Sequence, residues 1–399
     1  MSAASGMPRL SWEQARESAY AAAGVLPTTR VELSAAVGRV LAEPVVALCE
    51  VPHYASSAMD GWAVRGPGPW VLRAAARDAP ALEAGEARAI VTGGLIPEGA
   101  DAVLRSEVGD VVSGGSDATG RRLLRSSVTP WIGQHIRPRG EEFGRGEVGI
   151  DAGARLNPAH IAVAAACGVD EVAVRARARV SLVFTGDEVV THGIPAPGTV
   201  RDSFGPQLPA FVELLGAEVA GQTRIGDDHG ALVRALSTEA SAHDVIITTG
   251  GTGDSSADHL RGALDRLGAH VLIDGVAMRP GGPSIMARLD DGRLLIGLPG
   301  NPLAAMMGLL TLAAPVLAAL ADTGLPELSR VRLGAPVAAG RGETRLIPFR
   351  LVGSQAEPST YTGSAMLRGL ADASGVLVCV NSGSAVGDEV EFVPLPWVR

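Results

Sequence analysis

The sequence of 399 residues contains no lysine, so all 34 of its basic side chains are arginine. That absence excludes a lysine Schiff base and the phosphate loop that ends in Gly-Lys-Ser/Thr. Aromatic residues make up only 4% and the formal charge is −9, which leaves neither a stacking platform nor a basic surface for non-specific nucleic-acid binding. Cysteine is scarce too. Cys49, Cys167 and Cys379 lie far apart and form neither a CxxC pair nor a zinc-ligand spacing, which favours buried, reduced thiols. There is no GxSxG elbow and no HExxH pair. From Met1 to Ala22 the chain is polar and charged throughout, without the apolar core of a signal peptide, so the cytoplasm is the expected compartment.

What is present is globular: 46% apolar and 19% charged residues, with 51 glycines and 26 prolines that call for many turns. The length points to roughly two to three domains. One stretch, Leu303 to Ala321, is apolar and long enough to cross a membrane. It contains Gly308, Thr311 and Pro315, is rich in alanine, and follows a strand-like run and a tight turn. A helix buried against a sheet is therefore expected, and no membrane partner.

Ser11 followed by Gln14 makes a capping box for a helix over Trp12 to Ala23. A second short helix is expected over Leu33 to Leu41. From Pro44 to about Arg125, short apolar runs separated by Gly, Pro and Asp read as a small β-rich domain. From Arg179 to Leu325 strand and helix patterns alternate: strands at Val180 to Phe184, Glu218 to Ile225, Val245 to Thr249, and near Val271, Ile285 and Leu294. The helices between them fall at Pro206 to Leu215, Gly230 to Ala242 and Ala257 to Leu267. Such repeats predict an α/β, doubly wound, mostly parallel sheet. After Pro326 short strands return, with one helical piece near Ala365 to Ala373, as a small C-terminal β domain.

In doubly wound sheets ligands bind at the carboxyl ends of the strands. Three polar or glycine-rich loops leave there and are expected to converge: Thr185-Gly-Asp-Glu188, the loop from Thr249 to Asp258, and Leu298-Pro-Gly-Asn-Pro302. Gly250 and Gly251 present backbone N–H groups before a helix, which serves an anion or a plain connection equally well. Pro299, Gly300, Asn301 and Pro302 fix a rigid turn with proline at the first helical position. Asp187, Glu188, Asp227, Asp228, Asp254 and Asp258 offer oxygens to a hard cation such as Mg²⁺; Asp187, Glu188 and Asp258 are the chosen candidates, and Asp254 reads as a helix cap. By spacing alone Asp60, before Gly61, marks a turn. Arg137 and Arg139 either bind phosphate or pair with Glu141 and Glu142. Gly144-Arg-Gly-Glu-Val-Gly149 matches a dinucleotide fingerprint without the flanking strand and helix, and reads as chance.

Together these segments resemble the MoeA/gephyrin family of molybdopterin molybdenumtransferases over almost the whole chain. The resemblance rests on Ser57-Ala-Met-Asp-Gly-Trp-Ala63, Thr92-Gly-Gly-Leu-Ile-Pro-Glu-Gly-Ala-Asp-Ala-Val103 and Gly133-Gln-His-Ile-Arg-Pro-Arg-Gly-Glu-Glu142. It extends through Thr185-Gly-Asp-Glu188, the Gly250-Gly251 loop, Arg279-Pro-Gly281, Leu298 to Pro302 and Gly363-Ser-Ala-Met-Leu367. It implies an elongated homodimer with four domains per chain. These are a linking α+β domain (25–48 with 143–177), a β-rich insert (49–142), the molybdopterin-binding sheet domain (7–24 with 178–326) and a C-terminal β-barrel-like domain (327–399).

The resemblance also implies a reaction, in which adenylylated molybdopterin and molybdate give molybdenum cofactor and AMP. It places catalytic roles on Asp60, Thr92, Glu188 and Asp258, and metal roles on Asp60, Asp187, Glu188 and Asp258. Substrate contacts fall on Arg137, Asp187, Gly250, Gly251, Arg279, Pro299, Gly300, Asn301, Pro302 and Ser364. The implied partners are small anionic substrates, a second copy of the chain and the molybdopterin adenylyltransferase. The sequence departs from the family at Gly253-Asp254-Ser255, where Ser-Val-Gly is usual, at Gly282 and Arg279, where lysines are usual, and at Glu142 and Phe204. Two other readings compete: a molybdopterin adenylyltransferase, and a non-catalytic or divergent dimeric pterin-binding scaffold.

Overall fold

The computed structural model describes residues 8–74, 80–116, 122–237, 243–253, 259–340, 342–379 and 383–398. The chain divides into two compact units, one of residues 30–174 and one of residues 1–29 with 175–399.

The larger unit is organised by a six-stranded sheet in the order Glu218–Arg224, Arg179–Phe184, Val245–Thr249, Leu294–Leu298, Ile285–Arg288, His270–Asp274. The first four strands are parallel; Ile285–Arg288 runs antiparallel to Leu294–Leu298, and His270–Asp274 antiparallel to Ile285–Arg288. Val245–Thr249 and Leu294–Leu298 are buried at every position, as central strands covered on both faces require. On one face pack Trp12–Ala21, Phe204–Leu214 and the long helix from Pro302 to Leu320, which share a single large apolar cluster with the sheet. On the other pack His229–Ser237 and Leu260–Arg266.

The capping box at Ser11 forms as expected, Ser11 Oγ accepting from Gln14 N at 3.2 Å and Gln14 Oε1 from Ser11 N at 3.1 Å. Trp12 then donates from its indole nitrogen to Thr311 Oγ1 at 3.0 Å in the middle of the long helix. The apolar stretch that was long enough for a membrane is a core helix, with 94% of its most apolar window buried. It widens to a π-helical turn over Leu309–Ala313, ahead of Pro315, whose ring would collide with a carbonyl of a regular preceding turn.

Beyond the sheet, Thr344–Val352, Gln355–Pro358, Ser329–Leu333, Glu389–Pro394 and Gly375–Cys379 pair in that order, and the last pairs back to the first. This closed five-stranded ring surrounds Val331, Leu333, Ile347, Phe349, Leu377 and Val390. Two further strands extend it outward: Val276–Arg279 lies parallel to Thr344–Val352, and Leu10–Ser11 lies parallel to Val276–Arg279.

The smaller unit holds a six-stranded, mostly antiparallel sheet in the order Ala102–Arg105, Gly61–Val64, Glu86–Ile90, Trp70–Arg73, Arg122–Ser126, Gly109–Ser116. A separate cluster around Leu41, Ile150, Leu156, Cys167 and Val174 includes residues from the helix Pro158–Ala166. The helix expected over Leu33 to Leu41 is reduced to a single 3₁₀ turn, Leu33–Ala35. Gly38 takes a positive φ of 79° and donates its N–H to Leu156 O at 2.7 Å, so a distant carbonyl replaces the helical one. The piece expected near Ala365 to Ala373 shortens likewise to Arg368–Ala371. Gly144 to Gly149 is a turn leading into the strand Val148–Ile150, with no helix after it.

Candidate active site

In the smaller unit the strand Gly61–Val64 lies between Ala102–Arg105 and Glu86–Ile90, and Asp60 stands just before it. A Cβ at Gly61 would come 2.0 Å from Leu104 O, so the position after the acid has to be glycine. Asp60 does not cap its own turn. Its Oδ1 accepts the backbone N–H of Thr92 at 2.6 Å and the Thr92 hydroxyl at 2.9 Å. These two bonds hold the exposed Asp60 carboxyl below its ordinary pKa, so it is a carboxylate at neutral pH. The Thr92 turn is itself pinned, Gly93 N donating to Ser57 O at 2.8 Å and Ser57 N to Gly94 O at 2.9 Å.

Arg137 is exposed and pairs in register with Ser56 on the adjoining two-stranded ladder. Arg139 engages neither Glu141 nor Glu142 but Glu50, at 2.7 Å, and this bond lowers the Glu50 carboxyl pKa. Val91, next to Thr92 in sequence, and Leu95, Trp131 and Ile132 of the same unit are large exposed apolar side chains, the last 83% exposed.

In the larger unit the three expected loops meet at the carboxyl end of the parallel strands. Gly250 N donates to Leu298 O at 2.9 Å, and Thr185 Oγ1 donates to Thr249 O at 2.7 Å. Gly250 has a φ of 86°, and a Cβ there would sit 2.5 Å from Thr185 Oγ1; both facts restrict the position to glycine. Gly300 lies against it, its own Cβ position 3.7 Å from Gly250 Cα. Pro299 is buried, Asn301 is exposed at the N-cap, and Pro302 opens the long helix. Ala304 N, in the first turn of that helix, donates to Ser364 O at 3.1 Å, which draws the Gly363-Ser364 loop to the helix end. The turn after Arg279 arrives at the same place, since a Cβ at Gly281 would lie 3.0 Å from Ala304 O. Gly251, Gly300, Pro302, Ser364 and the Arg279 turn are thus brought together from segments far apart in sequence.

The acids behave differently from one another. Asp187 and Asp227 clasp two loops: Asp187 N donates to Asp227 Oδ2 at 3.2 Å, and Asp227 N to Asp187 Oδ1 at 3.3 Å. Glu188 is exposed and its carbonyl receives Val200 N at 2.9 Å. Asp228 caps the helix His229–Ser237 through Ala231 N. Asp254 and Asp258 lie outside the described residues. Among the described residues no three His, Cys, Asp or Glu side chains converge as a closed metal site.

A cleft lies beneath these loops, as their convergence called for, lined by Thr185, Asp227, Asp228, Thr248, Gly250 and His259; sequence reasoning missed Thr248 and His259 in it. The Thr248 hydroxyl is buried there, 1% exposed as a residue, without a hydrogen-bond partner among the described residues. An orphaned buried hydroxyl costs roughly 1–3 kcal/mol, and such a group is retained where something else bonds it. The available signal was a threonine pair, Thr248-Thr249, ending an otherwise aliphatic, fully buried strand.

Comparison with known proteins gives these loops a context. Residues 10–168 match the family model for the MoeA N-terminal region (domain I and II), residues 181–319 a probable molybdopterin binding domain, and residues 330–395 the MoeA C-terminal region (domain IV). The chain is 34% identical over 373 residues to molybdopterin molybdenumtransferase 2 of Mycobacterium tuberculosis, covering 87% of this chain and 89% of that protein. It is 33% identical over 326 residues to molybdopterin molybdenumtransferase of a Nostoc species, covering 76% of this chain and 73% of that one. A solved molybdopterin biosynthesis MoeA protein from Pyrococcus horikosii superposes with a TM-score of 0.78 at 25% identity, over 97% of this chain and 99% of that one.

Proposed function

Because this chain belongs to the MoeA family, we propose that it is a molybdopterin molybdenumtransferase, which takes molybdenum from molybdate into adenylylated molybdopterin and releases AMP. The observation that carries the reading is 34% identity across 87% of the chain to a protein of that name.

The side chains have the chemistry this reaction asks of them. Both substrates are anionic, and the protein is acidic, so the site must concentrate donors locally. The N-terminal end of the helix that starts at Pro302, with glycines 250, 251 and 300 around it, is suited to an anion. Arg279 and Ser364 flank that end, and Arg137 is assigned to substrate in the other unit. Asp60, kept ionised by Thr92, is a fixed negative group rather than a proton donor at neutral pH. Its role is to orient a cationic or hydrogen-bond-donating part of the reacting assembly.

A divalent cation, Mg²⁺ in our assignment, fits the donors only in a particular way. Mg²⁺ is commonly held by one or two carboxylates together with substrate phosphates and water. The exposed Asp187-Glu188 pair meets that requirement, and the assignment of Asp60 and Asp258 to metal rests on the family resemblance alone, whereas a closed protein cage does not form among the described residues. When bound, the ion supplies charge neutralisation at the phosphoanhydride. The protein's own part is to hold the two anions within reach of one another and to exclude competing water.

We assign domains at 25–48 with 143–177, 49–142, 7–24 with 178–326, and 327–399. We further assign a homodimer in the cytoplasm that receives its substrate from the molybdopterin adenylyltransferase. The exposed Val91, Leu95, Trp131 and Ile132 of the smaller unit support a second copy as their cover, since apolar groups of this size cluster at interfaces. The test is AMP release by the purified protein with adenylylated molybdopterin, molybdate and Mg²⁺. Molybdate-dependent release is expected, and Asp60→Ala combined with Glu188→Ala should lower it roughly a hundredfold or more. A pterin-binding protein that releases no AMP would instead be a scaffold.

A further inference from the structure

By the family resemblance Gly282 stands where a basic side chain is usual, and the structure shows which side chain comes near it. A Cβ at Gly282 would lie 3.0 Å from Met278 O, 3.3 Å from Val276 O and 3.8 Å from Arg9 Nη1, and a Cβ at Gly275 would lie 3.2 Å from both Cγ and Nε of Arg9. The Arg9 side chain therefore runs past both glycines, and its guanidinium reaches the turn that holds Gly282. The strand it precedes places it there: Leu10 pairs with Val276 and Ser11 with Ala277.

Strand alternation sorts the neighbours by face. Leu10, Val276, Met278 and Leu346 pack into the large apolar cluster. The intervening positions, Arg9 with Gly275, Ala277 and Arg279, belong to the opposite face. Arg279 is the register partner of Arg345 on the adjoining parallel strand. Two like charges on strands about 4.8 Å apart repel. Arg345 Nη1 is tethered to Ala338 O at 2.8 Å, while Arg279 is exposed. Against this the same face carries Glu343, which meets Arg9 Nη1 at 3.6 Å; the two side chains are 49% and 37% exposed, so the pair is a weak, screened one. Arg9, Arg279 and Arg345 against the single carboxylate of Glu343 leave an excess of positive charge on this face of the strands, on a protein whose overall charge is −9.

We propose that Arg9 is an oxyanion-binding residue of this chain, delivered by the N-terminal strand to the turn that holds Gly282, and that it acts with Arg279 and Arg345 on a tetrahedral oxyanion. Molybdate and a substrate phosphate share that chemistry. The assignment deepens the proposed function and rests on it for the identity of the anion, though not for the existence of the site.

The experiment is equilibrium dialysis of the purified full-length protein with molybdate alone and with inorganic phosphate alone. Arg9→Gln, which keeps much of the stem and removes the charge, and Arg9→Lys, which keeps the charge, are compared with the parent. Thermal melts identify the folded variants. For at least one anion, Arg9→Gln is expected to weaken binding about tenfold and Arg9→Lys to restore most of it, as a charge-assisted contact requires. The anion affected identifies which substrate oxyanion Arg9 holds. In the AMP-release assay the loss should fall on KM for molybdate when molybdate is that anion. Binding of both anions unchanged in Arg9→Gln, or no binding of either by the parent, overturns the proposal. Arg9-dependent binding without AMP release would leave the site standing and remove the proposed function. AMP release with Arg9-independent binding would do the reverse.

Discussion

The two ends of the doubly wound sheet are both polar, and they use polarity in opposite ways. At the amino end of the central strands, Arg293 is nearly buried at 6% exposure, and its donors are taken up. Nε donates to Asp291 Oδ2 at 2.8 Å, Nη2 to Leu236 O at 2.9 Å, and Nη1 to His243 Nε2 at 2.6 Å. Beside it Asp244 Oδ2 accepts Arg179 N at 2.8 Å, tying one strand to the start of the next. At the carboxyl end, the Thr248 hydroxyl has no partner among the described residues, Glu188 is exposed, and Gly250 and Gly251 hold positive φ values. A closed network stabilises the fold, whereas an open one keeps its bonding capacity for a ligand.

That contrast makes predictions of opposite sign. The largest effect belongs to Arg293→Ala, which strips the guanidinium from three acceptors at the closed end and should destabilise the protein by about 3 kcal/mol. Denaturant unfolding measures it, and the KM for molybdate of the protein that remains folded should not change. If activity fell as far as stability, the two ends would not be separable. Thr248→Val at the open end should do the reverse. Removing an unsatisfied hydroxyl stabilises by about 1 kcal/mol, while affinity for the substrate that bonds it falls about tenfold. A loss of stability in that variant would mean that the hydroxyl is satisfied within the fold.

The smallest effect is a pH dependence at the closed end. Burial, and then the neighbouring Arg293 guanidinium, hold His243 below the ordinary imidazole pKa, and the neutral ring accepts from Arg293. The unfolded chain therefore binds that proton more readily than the folded one. The stabilisation is complete above the unfolded value of about 6.5 and is lost as the pH falls through the lower folded value. Asp291, whose pKa is lowered first by its bond from Arg293, loses its contribution in the same direction as it protonates. Thermal melts across acidic pH should show His243→Asn flattening the upper part of this decline; an unchanged slope would remove His243 as its source.

Legibility from sequence follows the range of the interactions. The strand expected at Val245 to Thr249 forms over those residues, because five consecutive β-branched side chains favour a buried strand by local preference alone. The capping box at Ser11 and Gln14 and the proline-led start of the helix at Pro302 are equally local. The expected helix after Leu33 fails because Gly38 bonds to Leu156, a partner more than a hundred residues away. The convergence of the Thr185, Gly250 and Leu298 loops was legible, since a parallel sheet sends all such loops to one end. That Asp60 takes its bonds from Thr92 and not from its own turn was not legible, nor was the orphaned state of Thr248.

The sequence by itself determined the alternation of strands and helices, the family, and the residue types gathered at the loops, because each depends on patterns within a few tens of residues. Only the tertiary structure decided which polar groups are satisfied and which are left open. It also decided that the Arg9 guanidinium reaches the turn at Gly282. A hydrogen bond or a packing volume is defined by atoms within about 4 Å, and folding brings residues into that range that are hundreds of positions apart along the chain.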